Sequence, residues 1–155
     1  MNKKRLIFAT GVALISLSFI LVLYKTEGNV PLDRQYTLNL RENTINLEVA
    51  SDYSLRIKGL SGRESLSSDT GMLFVFPEDG LHGIWMKDMN FSIDIIWLSS
   101  DFEVVNFKKH VSPDTYPTTF KPTSPARYVI EISNGSIDRF GIKIGEKLNV
   151  EVVEG

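Results

Sequence analysis

WMKDMNFSIDIIWL, residues 85–98, alternates in character with a period of two. From Trp85 to Trp97 the odd positions are apolar apart from Lys87, whereas Asp88, Asn90, Ser92 and Asp94 occupy even positions and are polar. Successive side chains of an extended chain point to opposite faces, so this spacing predicts strand rather than helix. Gly83–Lys87 and Ser92–Ser99 are therefore expected to be strands, with Phe102–Val111 as the next. Upstream, GMLFVF (Gly71–Phe76) is a compact apolar strand that Pro77 is expected to stop, and Glu78-Asp79-Gly80 supplies a turn. Further back, Tyr36–Leu40 and Thr44–Ala50 alternate around Arg41-Glu42-Asn43 and predict a hairpin or two adjoining edge strands. Ser51-Asp52 offers a cap for a short helix, Tyr53–Lys58, that Gly59 halts.

Downstream, Ser112–Pro125 contains Pro113, Pro117, Pro122 and Pro125. Proline removes ladder donors and breaks helices, so an extended surface loop is expected here. RYVIEIS (Arg127–Ser133) then resumes the alternation, with Tyr128, Ile130 and Ile132 on one face and Val129, Glu131 and Ser133 on the other. Asn134 is expected to cap a second short helix ending at Gly141, and Glu146–Val153 to form the closing strand. The fold class is α+β, mainly β, in one small domain with two short helices.

The chain start has a different character. Leu6–Tyr24 is a run of 19 residues without a charge, preceded by Lys3, Lys4 and Arg5. As a helix it would be about 28 Å long, close to the roughly 30 Å hydrocarbon core of a bilayer. The N-terminal cations favour a cytoplasmic Met1, which makes the rest extracytoplasmic. The expected organisation is an N-terminal transmembrane anchor or signal segment (1–25), a linker (26–33) and an extracytoplasmic domain (34–155), held at the cell membrane by a single pass. The alternative is a secreted or periplasmic protein released by signal cleavage. Against cleavage, the run exceeds the usual 7–15 residues of a signal core, and 18–29 offer no small-x-small site.

Composition narrows the chemistry. The chain has 155 residues with 17 Lys and Arg, 19 Asp and Glu, two histidines and no cysteine. Disulfides, a thiol nucleophile and a cysteine-ligated metal are excluded, and His82 and His110 cannot make a multi-histidine centre. No metal and no cofactor are expected. Four of the bases lie in the first 25 residues, which leaves 13 bases against 19 acids, a net of −6. A phosphate-backbone binder needs clustered Lys and Arg, so nucleic acid is not an expected partner.

The series GLSGRESL (Gly59–Leu66), GMLFVF, WMKDMNFSIDIIWL and YVIEISNGSIDRFGIKIGEKL (Tyr128–Leu148) resembles the domain-of-unknown-function family numbered 192 in order and spacing, over roughly residues 45–150. The resemblance implies a small mixed α/β domain with a curved, barrel-like antiparallel or mixed β core, and no established activity. This chain departs from the family pattern at Ser61, at Asp88-Met89 and at Ser92-Ile93, and lacks a cysteine that relatives often carry in the proline-rich loop. Arg63, Gly71, Met72, Trp85, Met86, Lys87, Asp94, Glu131 and Gly135 fit the pattern.

Candidate site residues follow from both lines. Asp88 and Asp94 could share one surface of an unbroken strand about 20 Å apart, too far for paired-carboxylate chemistry unless a turn near Asn90 brings them closer. The reading favoured for Asp94 is structural, a buried acid accepting hydrogen bonds from a neighbouring backbone or from Arg63. Neither histidine has a visible orienting partner, and no elbow, phosphate loop or metalloprotease helix is present. Tyr116 and Phe120 lie on the proline-rich loop, where packing explains an aromatic less readily. The expectation is thus a non-catalytic binding or accessory module for an envelope polysaccharide, another envelope component or a partner protein. Its surface would comprise Arg63, Trp85, Met86, Lys87, Asp88, Asp94, Tyr116, Phe120 and Glu131. One alternative is a small hydrolase or lyase using Asp88, Asp94 and Glu131 with Lys87 as electrophilic support. Another is a structural assembly subunit.

Overall fold

The computed structural model describes residues 35–153. Leu6–Tyr24, the expected anchor, lies outside them, and among the described residues no helix is long and apolar enough to cross a membrane.

Chain order is β1 (Tyr36–Leu40), β2 (Asn43–Ala50), α1 (Tyr53–Lys58), β3 (Thr70–Gly80), β4 (Ile84–Trp85), β5 (Ile93–Leu98), β6 (Val104–Val111), a 3-10 turn (Pro113–Thr115), β7 (Thr119–Phe120), β8 (Ala126–Ser133), α2 (Ser136–Phe140) and β9 (Asn149–Val152). Seven strands form one mixed sheet in the order β6-β5-β8-β3-β2-β1-β9, and β4 pairs with β7 beside it. All neighbours in the large sheet run antiparallel except β2 and β3, which are parallel and joined through α1. The domain is mainly β with two short helices. The barrel-like expectation needs correction, because the seven strands do not close. Their outer edges approach where Glu103 bridges Lys147, with backbone hydrogen bonds from Leu148 N to Phe102 O (3.0 Å), from Val104 N to Glu146 O (2.8 Å) and from Gly145 N to Val104 O (2.8 Å).

Both faces of the sheet are covered. Leu38, Leu73, Ile96, Tyr128, Ile130 and Ile132 pack with Ile137 and Phe140 of α2 into one core. Phe74, Ile95, Trp97 and Val129 pack with Leu60, Ile84 and Met86 into another. The alternation of RYVIEIS therefore sorts correctly, but neither side of β8 is a solvent face. β5 shows the same departure more sharply, since all six of its residues are buried. A strand shielded on both sides has no polar face to reveal its period.

Local signals acted largely as expected. The hairpin forms between β1 and β2, with Leu40 opposite Asn43. Asp52 caps α1 by accepting from Leu55 N at 2.8 Å, and Gly59 ends it at φ 49°. Pro77 does not stop β3. β2 pairs no further than Phe74, and the β3–β8 register is irregular between Val75 and Gly80, so no ladder bond is lost at the proline. Nor does Asn134 cap α2. Gly135 takes that position at φ 82° without a side-chain bond, and Asn134 Oδ1 instead contacts His110 Nδ1 at 2.7 Å.

Gly71 sits where β2, β3 and β8 are laced together. A Cβ there would lie 2.7 Å from the Glu131 carbonyl oxygen and 3.0 Å from Leu47. Gly71→Ala is expected to cost about 2 kcal/mol, since a packed backbone cannot yield as a flexible side chain can. Urea denaturation of the two proteins would measure it, and an unchanged midpoint would refute the crowding.

Candidate functional site

Glu131 lies midway along β8, opposite Met72 of β3 and Ile95 of β5. Its side chain points to the Phe74–Trp97 face and is 4% exposed, with no hydrogen-bond partner among the described residues. A cleft of about 270 Å³ opens over it. The walls are apolar: Ile57, Leu60, Phe74, Ile84, Trp85 and Met89. Arg56 and Lys58 of α1 stand among the lining residues, and Glu131 is the only acid in that lining. Burial pushes the Glu131 carboxyl up to about 8, opposed by the nearby Arg63 guanidinium. At neutral pH the group is thus mainly a neutral acid, able both to donate and to accept.

The loop after α1 is stitched to the turn after β4, which fixes one side of the cleft. Ser61 Oγ donates to Lys87 O (2.7 Å), Gly62 N to Asp88 O (2.8 Å) and Asn90 Nδ2 to Arg63 O (2.8 Å). Asp88 adopts φ 54° in this turn, a left-handed conformation that Asp tolerates better than most residues. Arg63 pairs with Glu48 through two bonds of 2.6 and 2.8 Å, not with Asp94. That pairing holds the Glu48 carboxyl below its ordinary range and raises Arg63.

The opposite lip is aromatic. Trp85 is 38% exposed, and Tyr116, 47% exposed, meets it edge-on at 6.3 Å between ring centroids. Lys87 Nζ lies 5.9 Å from the Trp85 ring. Pairing of Trp85 with Thr119 and of Ile84 with Phe120 brings the proline-rich loop against this lip.

The structure therefore brings together Glu131, Trp85, Lys87, Tyr116 and, behind the carboxyl, Arg63. It places three other candidates elsewhere. Met86 is buried in the core. Phe120 is half-buried and packs against the same core, so its place on a proline-rich loop is explained by packing after all. Asp94 is fully buried and both of its oxygens are engaged, one by His110 N and the other by Ile137 N, each at 2.8 Å. The histidines are likewise occupied. His82 stacks on Phe76 at 3.6 Å, and His110 contacts Asn134 and Asp138 through its two ring nitrogens, contacts that raise its pKa. Among the described residues no three His, Cys, Asp or Glu side chains are grouped to hold a metal ion.

Sequence reasoning missed Arg56, Ile57, Lys58, Gly59, Leu60, Phe74 and Met89 as cleft residues. Only α1 carried a usable signal: YSLRIK has no coherent buried stripe, and none of its residues is in fact buried. A helix that contributes nothing to a core is available to border a cavity.

The DUF192 family profile, described as "Uncharacterized ACR", matches residues 36–150. The chain belongs to that family. Two proteins of similar sequence come from Pyrococcus and Thermococcus. The UPF0127 protein PF1050 of Pyrococcus furiosus is 27% identical over 113 residues, covering 70% of this chain and 89% of that protein. A UPF0127 protein of Thermococcus sibiricus is 28% identical over 116 residues, covering 72% and 70%. Two crystal structures share the fold. A protein of Sinorhizobium meliloti described as a candidate transcription regulator superposes with a TM-score of 0.69 at 26% identity, over 81% of this chain and 98% of that one. A protein of unknown function from Novosphingobium aromaticivorans gives 0.67 at 28% identity, over 76% and 83%.

Proposed function

We propose that this DUF192 protein is a membrane-tethered, extracytoplasmic binding module and that the cleft over Glu131 receives part of an envelope component. The observation that carries the reading is Glu131 itself, a carboxyl 4% exposed that makes no hydrogen bond to the described residues and sits at the floor of a cavity with an aromatic lip. A carboxyl reached from an apolar cavity and not spent on the protein's own hydrogen bonds is suited to a ligand. The uncharged 19-residue run from Leu6 to Tyr24 supports the tether.

A carboxylate hydrolase or lyase has less support. Such mechanisms need two carboxyl groups roughly 5–9.5 Å apart, whereas Glu131 has no second acid in the cleft lining and Asp94 is committed to two backbone amides. An assembly subunit would present an apolar patch without a polar floor. If the transcription-regulator description of the Sinorhizobium protein meant direct binding of nucleic acid, a net charge of −6 after residue 25 would fit it poorly here.

Fluorescence titration of the full-length protein in mild detergent with solubilised envelope glycans tests the binding reading. Trp97 is fully buried and donates its indole N–H to His82 O (2.8 Å), so ligand-induced change reports Trp85. The change is expected to disappear in Trp85→Phe, and a wild-type titration curve for Trp85→Ala would defeat the assignment. Protease added outside intact spheroplasts should remove the domain; full protection would defeat the tether.

A further inference from the structure

Taking the binding reading as its base, we propose that the cleft accepts an uncharged, ring-sized group carrying a carboxamide, in the form of an acetamido-substituted hexose. The sugar ring would lie against Trp85 and the carboxamide would pair with the Glu131 carboxyl.

The floor sets the polar requirement. A carboxyl in its acid form offers one O–H donor and one carbonyl acceptor from the same carbon. A carboxamide presents the complementary pair, a carbonyl oxygen and an N–H, so both positions are satisfied by one ligand group. A single hydroxyl fills one position at a time and leaves a buried polar atom unmatched, which is costly. Gly59 leaves room above this group, since a Cβ there would stand 3.9 Å from Glu131 Oε2 and 3.3 Å from Phe74 Cζ.

The charges around the cleft select against ions. Arg56 and Lys58 line it, Lys87 stands by Trp85, and Arg63 lies near Glu131, so an amine or other cation meets four bases and, in the lining, no acid besides Glu131. An anion finds no fork to hold it. Arg63 is engaged by Glu48, and Arg56 donates to the carbonyls of Ser51 and Val75 while stacking over Phe76 at 5.2 Å. An uncharged ligand avoids both penalties.

Size and shape choose the rest. At about 270 Å³ the cleft falls just below the roughly 300–1,000 Å³ of pockets for drug-sized ligands, which suits one ring and a small substituent. Trp85 offers a flat apolar face at the lip, and Ile57, Phe74 and Ile84 provide walls for a methyl group.

Saturation-transfer NMR on the full-length protein in detergent tests the inference with N-acetylglucosamine, glucose, glucosamine and N-acetylalanine amide as probes. At pH 6.5 the acetamido methyl of N-acetylglucosamine should receive saturation, and glucose and glucosamine should bind at least tenfold more weakly. Binding should fall at least tenfold at pH 9.5, where the Glu131 donor is lost. The charged neighbours named above include the Arg63–Glu48 pair, whose shifts both favour the ionised forms. Glu131→Gln keeps a donor and an acceptor and should bind at both pH values, whereas Glu131→Leu and Trp85→Ala should lose the signal. Equal binding of glucose would overturn carboxamide recognition, and equal binding of N-acetylalanine amide would overturn the ring requirement in favour of peptide. If no probe binds while envelope glycans still perturb Trp85, the ligand class is wrong and the binding reading stands. If neither acts on Trp85, both fall.

Discussion

Asp94→Ala is expected to destabilise the domain by about 4 kcal/mol. The side chain is fully buried, and its two oxygens accept from the amides of His110 at the end of β6 and Ile137 in α2. Each amide left without a partner costs about 1–3 kcal/mol, and the cavity left by the side chain adds to the loss. His110 also adopts φ 53°, a conformation the Asp94 contact helps to hold. Asp94→Asn should fall between wild type and alanine, because its NH2 group would face an N–H at one of the two sites. Urea denaturation of full-length variants in detergent measures the series, and a loss under 1 kcal/mol for alanine would show that the two amides find other partners.

Glu131→Gln is expected to remove a stability term that depends on pH. The folded carboxyl is pushed from its ordinary 4.5 up to about 8 by burial. Between those values the unfolded chain carries the ionised group and the folded chain the protonated one. Unfolding then releases a proton, so stability falls as pH rises, by up to about 1.4 kcal/mol per unit. At pH 7 this amounts to about 3 kcal/mol relative to pH 4, and the decline ends above pH 8 once both states are ionised. Denaturation midpoints across pH 4–9 should show this slope in wild type and lose it in Glu131→Gln. Parallel profiles would mean that Glu131 ionises in the fold as it does in the unfolded chain.

Period-two alternation correctly divided β8 between its two cores, and turn and cap chemistry correctly set the hairpin and α1. The same rule did not place Asp94, although its expected structural role as an acceptor from backbone is the one observed. In IDIIWL a polar residue among apolar ones suggests an outward face, but here it marks a buried carboxyl serving two amides, and backbone amides carry no sequence signal. Arg63, in the loop after α1, and Glu48, in β2, are 15 positions apart, so neither local pattern announces the other. The cleft was hidden for a related reason. Its walls come from α1, β3, β4 and β7 with their loops, and its apolar members look like ordinary core residues until the fold leaves a gap between them. Trp85, Lys87 and Glu131 were recognisable because they fit the pattern of the family the chain resembles, and Tyr116 because an aromatic on a proline-rich loop is conspicuous. Met86 and Phe120 shared those settings and turned inward.

β9 lies alongside β1, with Tyr36 opposite Val152 and Asn39 opposite Asn149. A nascent chain emerging from a ribosome or a translocation channel thus leaves β1 with a vacant margin until residues more than a hundred positions later have come through. Such distant pairing makes folding intrinsically slow and leaves the half-made molecule open to improper strand addition. A holding chaperone would be most useful during that interval, and early termination should yield aggregates rather than a smaller stable protein.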